Sequence, residues 1–175
     1  MDILIVLNDK SMKSTEKREI IIKALEEKSI TIKELKFVLN ETKEKKSSVI
    51  FEAMEAMTNS DAQIADIEWL NLAVENILSE SNSIKREASR IVGNISHKFP
   101  DDLGEAIEKL LLNTKDEGTV VRWSSAYALS KIIVIPKYAN SELFEKLTEI
   151  CDWEEENGVK NQYVKALKKA SKLRI

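Results

Sequence analysis

Val121-Arg122-Trp123-Ser124-Ser125-Ala126-Tyr127-Ala128-Leu129 decides how this 175-residue chain folds, because the same order of side chains returns along it. Val159-Lys160 leading to Ala166-Leu167 lies 38 residues later. Ile84-Lys85 leading to Ala88 and Ile91-Val92 lies 37 residues earlier, and Val49-Ile50, Ala53 and Ala56-Met57 lie 35 before that. A fainter copy, Lys17-Arg18 leading to Ile21-Ile22 and Ala24-Leu25, comes first. Periods of 32 to 38 residues suit a helix pair stacked on its neighbours. The repeat predicts the kind of object, a single helical stack over residues 1–175, without saying what its inner face holds.

Composition agrees. Charged residues make up 33%, hydrophobic residues 43% and aromatics 6%, and four Gly and two Pro are too few for a many-turned β fold. A net charge of −3 gives no global attraction to nucleic acid or anionic membrane. The single cysteine, Cys151, excludes an internal disulfide and a cysteine-based zinc site. It follows Leu143, Leu147 and Ile150, which favours a small buried core residue over a reactive thiol. The apolar run Ile3–Leu7 is too short for a signal peptide, and Asp2 stands where a basic flank is needed. No stretch approaches the ~20 apolar residues that cross a bilayer. The expectation is a soluble cytoplasmic protein.

Patterning predicts helices over 14–27, from Thr31 (with Glu34 as a capping box), over 47–58, and from Asp61 through Leu78. Further helices start at Ser83, after Phe99-Pro100 with Asp101-Asp102 as cap, at Thr119 as far as about Ile135, over 141–151, and over 159–172. The repeated pattern falls on the second helix of each pair. Ala53, Ala88, Ser125 and Tyr163 occupy one equivalent, closely packed slot, and Lys43-Glu44-Lys45-Lys46 reads as a charged turn.

The pattern resembles the second helix of the HEAT repeat, Val-Arg-x-x-Ala-x-x-Ala-Leu, over nearly the whole chain. The resemblance implies an all-α, armadillo-like, right-handed α-solenoid of about five helix pairs, the first and last atypical. It also implies a structural ladder in which a turn Asp precedes the Arg by six residues, as Asp116 precedes Arg122 and, more loosely, Glu154 precedes Lys160. Ser79 and Glu44 stand at the corresponding places before Lys85 and Ile50, so the ladder is partial.

In HEAT-like proteins the second helices line the concave surface. The repeat phase places on it Glu19, Lys23 and Glu27, then Phe51, Glu55 and Asn59, then Arg86, Arg90 and Asn94, then Trp123, Tyr127 and Lys131, then Asn161, Lys165 and Lys169. Arg86, Arg90, Asn94, Trp123, Tyr127 and Lys131 form the candidate partner-binding set, since Trp, Tyr and Arg dominate interface hot spots. The alternative is that the rings only pack against Arg86 or Arg90 as a cation–π cover. The basic helix from Lys160 to Arg174 reads either as a solubilising cap or as an extension of the binding face.

Catalytic machinery is not legible. His97 is the only histidine and has no assignable Ser or Cys partner, and no Gly-rich phosphate loop occurs. No cofactor or metal ligands are expected. Trp69 and Trp153 read as packing residues of outer helices. The leading expectation is a non-enzymatic scaffold or adaptor that binds a protein or peptide, acidic in character, on its concave face. One alternative is a nucleic-acid-binding protein resembling the HEAT-like DNA alkylation glycosylases, whose inward catalytic Asp is missing from the strips. The other is an accessory protein of the HEAT-repeat lyase type or a chaperone-like one.

Overall fold

A computed structural model of the chain describes residues 2–175, with the side chains of Glu44 and Lys45 outside the description. The stretch 43–46, expected as a charged turn, is instead helical from Glu44 onward and opens the helix expected only from 47; of the ladder position at Glu44 the backbone alone is described. Among the described residues there are eleven α-helices and three short 3-10 turns, and no strand. The helices are α1 (Ile3–Asn8), α2 (Ser14–Glu26), α3 (Ile32–Asn40), α4 (Glu44–Ser60), α5 (Ile67–Asn76), α6 (Asn82–Ile95), α7 (Gly104–Asn113), α8 (Thr119–Ile133), α9 (Pro136–Ala139), α10 (Leu143–Trp153) and α11 (Asn157–Ala170).

Local chemistry sets the boundaries. Thr31 accepts from the Glu34 amide while Glu34 accepts from the Thr31 amide at 2.7 Å, so the predicted capping box opens α3. Asp2 caps α1 by accepting from Leu4 N–H at 2.9 Å, and Ile3, Val6 and Leu7 turn inward; the short apolar N-terminal run is a core helix. The helix expected from Asp61 to Leu78 is two elements. Asp61 caps only the turn Ala62–Ile64, and Asp66 caps α5. Ile64, Ile67 and Leu78, which one continuous helix would align with Leu70 and Val74 on a single apolar face, are exposed. Asp101 does not cap α7 but pairs with Lys137 at 2.9 Å. Pro136 ends α8 and also starts α9, sitting at the first helical position, where its missing N–H costs nothing.

Packing follows the repeat. The helices that carry the pattern touch in chain order, α2 to α4 to α6 to α8 to α11. A second row, α3 to α5 to α7, lies against them, each helix on its own partner. One buried cluster runs from Ile3 to Ala170 without a break in the chain of repeats. Ala53, Ala88 and Ser125 are fully buried in the equivalent slot, and Tyr163 fills it in the last helix. The rows are also stitched by polar groups. Lys109 donates to the Val74 carbonyl and Asn113 to the Ile77 carbonyl, satisfying the open C-terminal end of α5 from α7. Among the described residues no helix is long and apolar enough to cross a membrane.

Candidate functional site

The ladder that fixes the repeats differs from the expected one. Arg122 does not pair with the Asp116 carboxylate. Its guanidinium donates to the Asp116 backbone carbonyl at 3.0 Å and forms an ion pair with Glu154 at 3.1 Å. The Asp116 carboxylate instead pairs with Lys85 at 2.7 Å and accepts from Gly118 N–H at 2.8 Å. Each basic group thus reaches forward to the turn of the next repeat, because that turn's acid is held in place by its own backbone amide. Glu154 likewise accepts from Glu156 N–H. Burial opposes the charge on Asp116, yet Lys85 and the Gly118 amide hold its carboxyl below the ordinary range.

Beside the ladder, α6 and α8 bring the six candidate residues together. Trp123 and Tyr127, one turn apart, stack with ring centroids 5.7 Å apart and planes at 16°. The Tyr127 hydroxyl and the Asn94 side-chain amide are hydrogen-bonded at 2.6 Å across the two helices. Lys131 Nζ lies 5.5 Å from the Tyr127 ring centroid, so the cation on that ring is a lysine and not an arginine. Burial pushes the Tyr127 phenol above its ordinary value. Arg86, Arg90, Thr119, Val120, Trp123 and Ser124 enclose a slot of about 250 Å³. Val120, which the sequence reading passed over, is 56% exposed at its rim.

The guanidiniums are not free. Arg90 pairs with Glu55 at 2.8 Å and with Glu87 at 3.3 Å, and Arg86 pairs with Glu87 at 2.6 Å. Glu87 is only 3% exposed. Burial raises the Glu55 carboxyl against the pull of Arg90, and burial together with Glu87 raises Glu52. Sequence reasoning missed this neutralisation, although a signal exists. Glu55 precedes Arg90 by 35 residues, the local repeat spacing, so the two are lateral neighbours.

The second strip needs correction as well. Phe51 is fully buried and Glu55 nearly so, because α4 is flanked by α2, α3 and α6 and presents little free surface there. Asn59, Asn161, Lys165, Lys169, Glu19, Lys23 and Glu27 are exposed as expected. Trp69 is buried packing, whereas Trp153 is 45% exposed beside Leu111, Leu112 and Ile150. His97 is an exposed residue of the turn after α6, and Cys151 is buried, with burial raising its thiol. Among the described residues no three His, Cys, Asp or Glu side chains converge to hold a metal ion.

Comparison with models of protein families and with curated proteins returns no match. The chain is similar in fold to the crystal structure of an engineered protein determined by the Northeast Structural Genomics Consortium. The TM-score is 0.54 at 14% identity, over 99% of this chain and 98% of that one. At that identity the likeness concerns the fold alone.

Proposed function

We propose that this protein is a non-enzymatic interaction module, a right-handed HEAT-like solenoid of about five helix pairs that holds a protein or peptide segment on its concave face. The α2–α4–α6–α8–α11 row supplies that face. We place the protein in the cytoplasm, where a chain with one cysteine needs no disulfide. The observation that carries the reading is the Trp123–Tyr127 stack beside an open apolar slot between α6 and α8. Flat aromatic area fixed by packing on rigid helices binds with little loss of side-chain entropy, which is what interface anchors need. Arg86 and Arg90 contribute walls and methylenes rather than net charge, since their carboxylates come with them.

The test is a pull-down with the intact protein and identification of the bound chain, followed by affinity measurement with variants. Trp123→Ala, a change at a half-buried surface residue, should weaken that partner by ~2 kcal/mol or more with the fold intact. Trp69→Ala should lower stability more than affinity. Equal affinity for wild type and folded Trp123→Ala would place the binding surface elsewhere.

A further inference from the structure

Resting on the reading that the slot between α6 and α8 is the binding centre, the distribution of unpaired charge around it specifies the chemistry of its occupant. On the α4 and α6 side every arginine in the slot is matched by a carboxylate of this chain. On the α8 and α11 side the situation reverses. Lys131 is exposed, and Lys165 and Lys169 sit on α11 one repeat, 38 residues, beyond Tyr127 and Lys131. None of the three lysines takes part in an ion pair among the described residues. The surface therefore runs from a neutral apolar slot into a patch of uncompensated positive charge.

Helix geometry gives the scale. Trp123 and Lys131 are about 12 Å apart along α8, and α11 lies about 8–10 Å to the side. An extended chain covers that distance in about three to five residues. We infer that the occupant is an extended peptide segment with one apolar side chain in the slot and, about three to five residues away, a short run of carboxylates lying against Lys131, Lys165 and Lys169. The anchor supplies affinity, and the carboxylates set direction and speed of docking, because exposed charge pairs act mainly on orientation and encounter. A nucleic acid would seek the same lysines, but its phosphates gain nothing from the slot, whose arginines are already paired with Glu55 and Glu87.

The probe is a fluorescein-labelled Gly/Ser peptide bearing a single Leu and, about four residues on, Glu-Glu-Glu. Fluorescence polarisation with the full chain should show binding that weakens with added salt. Replacing the peptide's Glu by Lys should weaken binding by roughly tenfold or more, leaving the anchor's share. Lys131→Glu/Lys165→Glu/Lys169→Glu should weaken it by roughly tenfold or more, as should the milder triple Ala variant in smaller degree. All three positions are exposed, and circular dichroism of each variant checks folding. If the Leu peptide binds equally with Glu or Lys, and binding falls only with Trp123→Ala, the slot stands and the acidic occupant is overturned. If neither Trp123→Ala nor the lysine changes alter binding, the slot reading falls too. Absence of any peptide binding, or a single-stranded oligonucleotide that binds through the lysines and displaces the peptide, overturns the inference.

Discussion

Arg122 and Lys85 reach acids 32 and 31 residues ahead of them, so each spans the gap to the following repeat rather than bracing its own turn. Glu154 is 4% exposed, and a carboxylate so deeply placed depends on its guanidinium. Arg122→Ala should therefore destabilise by about 3–5 kcal/mol, the range for stripping one partner from a buried pair. Denaturant titration of Arg122→Ala, Glu154→Ala and the double variant should show strong coupling, whereas a cycle between Arg122 and Asp116 side chains should show little. The reverse result would restore the intra-turn pair that the six-residue spacing suggests. Glu52 makes a prediction of opposite sign. Burial and Glu87 raise its carboxyl in the folded chain, so the unfolded chain ionises first as pH rises. Glu52 therefore costs stability in full above its folded pKa and nothing below the ordinary Glu value of about 4.3. Glu52→Gln should raise the melting temperature at neutral pH, with the gain vanishing in acid; a gain that persists below that value would assign it to something other than charge. Lys28, just past α2, has φ 54, in the region that favours glycine. Lys28→Gly should stabilise by about 1 kcal/mol in thermal unfolding.

Helices α6 and α8 meet over a row without bulk. A Cβ on Gly93 would come within 3.0 Å of the Ala128 backbone and of the Tyr127 ring. Gly93→Ala should thus push α6 from α8 and cost ~1–3 kcal/mol, read by chemical denaturation. It should also disturb the Asn94–Tyr127 bond. Leu129 is fully buried, and Leu129→Ala should cost ~2–5 kcal/mol. The same row can be followed outward. Lys85, Ser89 and Gly93 on α6 become Arg122, Ala126 and Ser130 on α8, then Lys160, Val164 and Lys168 on α11. Where small residues accept a neighbour, Val164 and Lys168 stand exposed. The elements themselves were largely legible, because an apolar period repeated in phase fixes which helices are neighbours. Three things escaped. The run Ile3–Leu7 is too short to show a helical period, the break at Ala65 has no Gly or Pro to mark it, and Pro136 reads equally as a stop or a start.

At the scale of the molecule, the main contacts run between helices neighbouring in the stack, and the proposed binding surface lies at the junction of α6 and α8. The sequence placed the six candidate residues on one surface because repeat phase alone decides that. The charge balance is not legible there because Glu87 lies outside the strip pattern and the pattern puts Glu55 on the free face, so that only their burial reveals them as partners. A site in the middle of a stack is held rigid from both sides, while the ends have one neighbour each. Stability in such an array is a sum of local and nearest-neighbour contributions rather than a single global quantity. Native-state hydrogen exchange should therefore show protection highest in α6 and α8 and falling toward α1 and α2 on one side and α11 on the other. Leu129→Ala should lower protection most in α8 and the helices packed against it, α6, α7 and α11, and least in α2. Uniform protection across the chain, with every helix losing it together in Leu129→Ala, would show one cooperative unit. The rigidity ascribed to the Trp123–Tyr127 stack would then come from the whole fold and not from its place between neighbours.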